Sequence, residues 1–377
     1  MITKTISLKR KSFSVVTNFL VISMCVFMGL LLLFAPGEAL RGARAGLNLC
    51  AEVVVPSLFP FLVLTTFVVY CGLAEKLGRI FEPIMKWIFK LPGSAATAFG
   101  LGIIGGYPAG ALAVAGLCKR GVLNKKDSER LLCFCINSGP AFVIGAVGAG
   151  LLKSTQAGVL IYAAHIGASL IIGVFSRFFS SKNASIKSNF KANPLSLSKS
   201  FVSSVTDSAK SMLSICAFVV FFAAVISLLN YTGIIPYIAH ILNSIHPISN
   251  NGINFYIRIL FGFFEVSNGC AAAVSIKGMQ AVLVISAILS WSSLSVQFQV
   301  MSVIKDAGLS IRYFIMTRFF HIILSVLLTM LLFSLFPVAL PVFLSSTIPL
   351  TASIHSAPAC VALFIISGML LLSQLKI

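Results

Sequence analysis

Acidic residues are scarce in this chain, nine Asp and Glu against 28 Lys and Arg in 377 residues, and charged residues of both signs make up only 10%. A soluble globule carries nearer a quarter, so this scarcity, beside 58% hydrophobic residues, excludes that class. Histidine is also rare, with five in all, and the nine cysteines form no Cys-x-x-Cys pair and no ordered pattern with His. A disulfide framework and a zinc site are therefore not expected. The cysteines sit within or at the ends of apolar runs and read as small packing residues. His165, alone in an apolar run, reads as a packed or hydrogen-bonded helix residue. No Ser/His, paired Asp or metal set stands at catalytic spacing, so neither an enzyme nor a bound cofactor or metal is expected.

What remains is apolar length. Mean hydropathy is +1.02, and the Lys and Arg behind the net charge of +19 fall mostly in short gaps between apolar runs. That placement is a topology signal rather than a nucleic-acid face. The lipid bilayer is the expected partner, and an all-α polytopic membrane protein the expected class.

Spans are expected at 13–35, 47–72, 131–152, 156–177, 208–230, 280–302, 313–336 and 355–375, about eight in all. The first is of spanning length and reads as a retained helix rather than a secretory signal. Residues 73–90 place Leu73, Leu77, Ile80, Phe81, Ile84 and Ile88 at helical spacing among lysines and arginines, which suits a helix on the membrane surface.

The chain is organised around 102–116, an apolar stretch interrupted by Gly105, Gly106, Pro108 and Gly110. Such a break is costly in hydrocarbon unless the freed backbone is buried in protein or lines a watery cavity. Basic residues flank the stretch on both sides, and a re-entrant hairpin over 94–118 keeps both flanks on one face. A second broken segment, 253–276, carries Glu265, Ser267 and Asn268 at its tip. Assigning the cytoplasmic side by charge puts 23 of the 28 Lys and Arg inside, Arg130 and Arg318 among them, and both termini cytoplasmic.

The two halves repeat an order of parts: span, short helix, broken hairpin, span with a polar interruption, span. The interruptions are Asn137-Ser138-Gly139-Pro140 and the Ser-rich 290–297, including Ser292 and Ser293. With the hairpins on opposite faces this is an inverted repeat, the pattern of a secondary transporter. The expected divisions are an N-terminal helix at 1–40, repeats at 41–178 and 204–336, a basic cytoplasmic linker at 179–203, and a C-terminal segment at 337–377.

Helix N-termini released at such breaks offer unpaired N–H groups to an anionic group. The expected substrate-binding set is Gly105, Gly106, Tyr107, Pro108, Gly110, Asn137, Ser138, Gly139, Glu265, Ser267, Asn268, Ser292 and Ser293. Any one Ser alone reads as an interhelical hydrogen bond; their clustering at breaks argues for a site. Glu265 is the sharpest, because a carboxylate at a membrane hairpin tip needs a cation, a proton or a donor.

With Pro56-Ser57-Leu58-Phe59-Pro60-Phe61, Gly105-Gly106-Tyr107-Pro108-Ala109-Gly110-Ala111 and Asn137-Ser138-Gly139-Pro140-Ala141-Phe142 in view, the chain resembles the sporulation integral membrane protein YlbJ family, also called SpoVV. Phe264-Glu265-Val266-Ser267-Asn268-Gly269 is similar to a further motif of it. The resemblance implies nucleoside-recognition Gate domains, a relation to concentrative nucleoside transporters, and a role in endospore formation. It implies movement of dipicolinate, pyridine-2,6-dicarboxylate, from the mother cell across the outer forespore membrane. Nucleoside transport and a membrane scaffold for spore-envelope assembly stand as alternatives. A proton or sodium as coupling ion, and a monomer or homo-oligomer, are left open.

Overall fold

The computed structural model describes residues 22–23, 25–73, 80–119, 121–179, 196–248, 252–276 and 278–338, and among them only helices, turns and irregular segments occur. Among the described residues, five helices are long and apolar enough to cross a membrane: Pro36–Val68, Thr155–Phe179, Leu197–Tyr231, Met279–Lys305 and Arg312–Leu335. They coincide with the spans expected at 47–72, 156–177, 208–230, 280–302 and 313–336. The expected span at 355–375 lies outside the described residues, as do residues 13–21 and 24 of the span expected at 13–35. The span expected at 131–152 is instead two helices separated by an extended stretch. A sixth crossing exists if Glu82–Phe89 and Ser94–Gly105, bent by 93°, count as one.

In chain order the elements are α1 (Pro36–Leu49), a π-helical turn (Cys50–Val54), α2 (Val55–Tyr70), α3 (Ser94–Gly105), α4 (Tyr107–Lys119), α5 (Lys125–Cys135), the π-helical α6 (Ala141–Leu151), α7 (Thr155–Ser176), α8 (Leu197–Tyr231), α9 (Ile234–Ile245), α10 (Gly252–Phe264), α11 (Val266–Ala273), α12 (Met279–Trp291), α13 (Leu294–Lys305) and α14 (Arg312–Leu335). α8 starts well before the expected span at 208, taking up the end of the 179–203 linker; residues 180–195 of that linker lie outside the described set. The expected surface helix is described from Ile80. Its helical part, Glu82–Phe89, turns Met85 and Phe89 inward and leaves Ile84 and Trp87 exposed.

Two compact units result. One joins the described residues up to Ala45 with Ala223–Ile257. In it Gly42 lies against the backbone of Ala223 and Ala224, an approach that a Cβ would block. The other comprises Gly46–Phe222 and the described residues from Arg258 onward. In this second unit α14 packs along α7, α12 and α5, and α13 packs against α4.

Side-chain caps open two helices of the second unit, α5 and α7. Asn124 accepts the Asp127 N–H at 2.8 Å to open α5, and Ser154 accepts the Ala157 N–H at 3.2 Å to open α7. Near the start of α5 a buried ion pair, Arg130 to Asp127 at 2.7 Å, also reaches the Phe89 carbonyl at 2.6 Å. Phe89 stacks on Phe134 with ring centroids 5.2 Å apart. Arg130 is thus a core residue, not one of the solvated loop charges that its place in the topology count assumed.

Candidate functional site

The site grows from four helix breaks in the second unit. At Gly106 the backbone takes φ 81° and ψ −170°, a region only glycine enters freely. Gly102 and Gly110, on either side, are in contact. In a straight helix they would stand about 12 Å apart, so the chain reverses at Gly106. The second break is made by Glu265, extended at φ −145° and ψ 133°, and Gly262 and Gly269 meet across it in the same way. Both broken segments are therefore helical hairpins closed by a pair of glycines.

The third break is the extended stretch after α5. A helix end leaves its last carbonyls without intrahelical donors, and here those of Cys133 and Phe134 find donors from other segments. The Cys133 carbonyl takes the Arg318 Nη2 at 2.6 Å. Phe134 takes the Asn137 Nδ2 at 2.8 Å and the Ser169 hydroxyl. Ile136 takes the Arg318 Nη1 at 3.2 Å. The Cys135 carbonyl lies against Gly102 and Gly110, where any Cβ would collide with it. The first hairpin is thus seated on the broken end of α5.

Serine makes the fourth break. Ser292 and Ser293 both adopt positive φ, 63° and 33°, between α12 and α13. Such a conformation costs a non-glycine residue about 1 to 3 kcal/mol and persists only where surrounding structure enforces it. Gln297 steadies the break by donating from Nε2 to the Trp291 carbonyl at 3.3 Å.

A cavity of about 70 Å³ opens where three of these breaks meet. Gly105 to Pro108, Ser138 and Gly139, Ala141 and Phe142, and Glu265 to Ser267 line it, with apolar side chains from α2, α8 and α13. The starts of α4, α6 and α11 therefore face one space. Glu265 is the one charged residue among those lining it. Its Oε2 caps α11, accepting the Asn268 N–H at 2.6 Å and the Asn268 Nδ2 at 2.9 Å.

Of the thirteen residues expected from sequence, Gly105, Gly106, Tyr107, Pro108, Ser138, Gly139, Glu265 and Ser267 line the cavity. Gly110 sits in the glycine closure behind it. Asn137 is buried, bonded to the Phe134 carbonyl and to Ser169 Oγ at 3.0 Å, with its Oδ1 unpartnered. Asn268 spans from Glu265 to the Val219 carbonyl at 3.3 Å. Ser292 and Ser293 belong to the break rather than to the cavity wall, although Ser292 and Ser138 both lie beside the Tyr107 hydroxyl. Among the described residues neither serine hydroxyl has a partner at hydrogen-bond geometry.

A group absent from the expected set stands behind the wall. Arg318, His321, Ser325 and Thr329 are all fully buried on one face of α14. His321 Nε2 meets the His165 carbonyl at 3.0 Å, and His165 Nε2 accepts the Ser138 N–H at 3.2 Å. Ser286 on α12 bonds Ser325 at 3.0 Å and Thr329 at 2.9 Å. The spacing 318, 321, 325, 329 is a polar helical stripe in an apolar span and was there to be read. Charge placement along the sequence assigns Arg318 to the cytoplasmic flank, whereas the structure buries it.

Residues 51–186 match the Gate family, described as nucleoside recognition. The chain is 25% identical over 340 residues, 85% of its length and 83% of the relative's, to the sporulation integral membrane protein YlbJ of Bacillus subtilis (strain 168). The resemblance read from the motifs is thereby borne out. With its apolar helices and Gate match, the chain is an all-helical integral membrane protein. Among solved structures, a variant of CNTnw in an intermediate state aligns over 88% of each chain at 12% identity with a TM-score of 0.49. CNTnw in an inward-facing substrate-bound state aligns over 86% of this chain and 84% of its own at 11% identity, again with a TM-score of 0.49.

Proposed function

We propose that this chain carries a small polar solute across a lipid bilayer, held in the cavity between the Gly106 turn, the break at 136–139 and the tip at Glu265. The observation that carries this reading is the convergence of three helix starts and one carboxylate on a single space. Helix starts offer N–H groups and partial positive charge to a solute's oxygens, and Glu265 accepts from its donors or holds a cation. The thirteen residues expected from sequence form the proposed binding set, with Asn137, Ser292 and Ser293 shaping it from behind.

In this reading the two hairpins are re-entrant, belong to inverted repeats at 41–178 and 204–336, and enter from opposite faces. Both termini are cytoplasmic, and one bundle moves against the other to give alternating access. The membrane is the outer forespore membrane of a sporulating bacterium, and the solute is dipicolinate, as the YlbJ resemblance implies. A dianion beside Glu265 is disfavoured in a low-dielectric space unless a proton or metal cation neutralises one of them. Dipicolinate therefore travels with such a cation.

A nucleoside is the second reading, favoured by the Gate match and by Glu265 as an acceptor for sugar hydroxyls. Uptake of labelled dipicolinate into vesicles containing the purified protein tests the first. Saturable uptake by wild type, lost in Glu265→Gln and Asn137→Ala and resistant to excess nucleoside, is the expected result. Competition by nucleosides selects the second reading. Full sporulation function in hairpin-tip variants that insert normally would move the assignment to a scaffold.

A further inference from the structure

Arg318 is a buried cation whose charge no carboxylate meets. It is fully buried on α14, and no ion pair joins it to an acidic residue among the described residues. Its donors go to neutral acceptors: the Cys133 carbonyl at 2.6 Å, the Ile136 carbonyl at 3.2 Å and His321 Nδ1 at 2.9 Å. The Phe314 ring lies 4.6 Å away, and Nε has no partner. A helix C-terminus supplies about half a negative charge, so the carbonyls at the end of α5 leave part of the guanidinium charge unbalanced.

The neighbouring imidazoles do not balance it. Arginine only donates, so His321 Nδ1 accepts from it and His321 Nε2 carries the proton given to the His165 carbonyl. His165 Nε2 accepts from the Ser138 N–H, which leaves its Nδ1–H facing Ser290 Oγ at 3.4 Å. Both rings are neutral in this arrangement. The remaining ionisable side chains around the guanidinium are Tyr107, Cys133 and Cys135.

Two residues past Ile136 stands Ser138, which lines the cavity with an unpartnered hydroxyl. Glu265 occupies another part of the wall, and its Oε2 already takes two N–H groups of Asn268. Arg318, bonded to the Ile136 carbonyl, is thus tied to the segment that forms the Ser138 and Gly139 part of the wall, while Glu265 forms another part.

We propose that Arg318 is a positioning residue that gives this cavity its preference for an anionic group, directing that group to Ser138 and Gly139 and away from Glu265. The proposal rests on the cavity being the solute site, as inferred above, and it concerns charge selectivity rather than transport itself. Unpaired buried charge is costly, and a bound anion supplies the missing partner.

Binding of pyridine-2,6-dicarboxylate and of its neutral diamide to the purified protein, measured by titration calorimetry, tests it. Wild type is expected to prefer the dianion by about tenfold or more. Arg318→Lys should retain that preference, Arg318→Gln should bring the ratio towards one, and Glu265→Gln should raise it. An unchanged ratio in Arg318→Gln, or equal binding of the two probes by wild type, overturns the proposal. If Arg318→Gln does not fold, Arg318→Met, which keeps the side chain's length without its charge, decides: a ratio near one supports the role and an unchanged ratio overturns it. Vesicle uptake separates the two claims. Selective binding without wild-type uptake sinks transport and leaves Arg318 in its role, whereas uptake without charge preference does the reverse.

Discussion

The hydroxyl of Tyr107, at the tip of the first hairpin, donates to the carbonyl of Leu289 at 2.6 Å, 182 residues along the chain. Leu289 lies just before the serine break of α12, so one side chain ties the first hairpin to the broken span of the second half. Tyr107 is itself buried. Replacement by Phe keeps the ring but leaves a buried carbonyl without a donor, which costs about 1 to 3 kcal/mol. Tyr107→Phe should lower the thermal midpoint in detergent; an unchanged midpoint would mean the bond is dispensable.

Gly102 and Gly269 are predicted to be intolerant even of alanine. The Gly102 position faces the Cys135 carbonyl and the Gly269 position faces the Gly262 backbone, and neither neighbour is a flexible side-chain end. Each Ala variant should lose about 2 kcal/mol or more in denaturant unfolding. Gly100→Ala, with open space at its position, is the matched control and should be near neutral or slightly stabilising.

Ser292→Gly should act in the opposite direction. The serine pays for a φ of 63° while its hydroxyl bonds to nothing, so glycine removes strain and loses no hydrogen bond. A gain of about 1 kcal/mol is expected. If uptake falls in this more stable variant, the hydroxyl contacts solute; if uptake is kept, the serine serves only the break.

Arg130→Leu should destabilise by about 3 kcal/mol or more, because it leaves Asp127 buried without its cation. Lys210→Leu, which removes a largely exposed partner of Asp207, should change stability by less than about 1 kcal/mol. Comparable losses in the two variants would contradict the burial difference that separates these pairs.

Much of the site was legible because its breaks are written in residue types. Gly106 and Pro108 in an apolar run, Asn137 to Pro140, and the serines near 292 each announce a helix that stops inside the protein. Glu265 stood out for the same reason, as a carboxylate where hydrocarbon was expected. Arg318 was misread because counting charges treats every arginine as solvated. Only the carbonyls of Cys133 and Ile136, left open by the break in α5, explain why this one is buried. Arg130 was misread likewise, its partners being Asp127 and the distant Phe89 carbonyl.

Composition and periodicity alone determined that this is a helical membrane protein with two broken hairpins, because lack of charge, apolar run length and helix-breaking residues act locally along the chain. Tertiary structure decided which breaks share a cavity, which serines stand behind its wall, and that Arg318 is buried on the carbonyls at the broken end of α5. Those outcomes depend on carbonyls and hydroxyls from segments far apart in sequence, and a hydrogen-bond partner 182 residues away leaves no trace in local pattern.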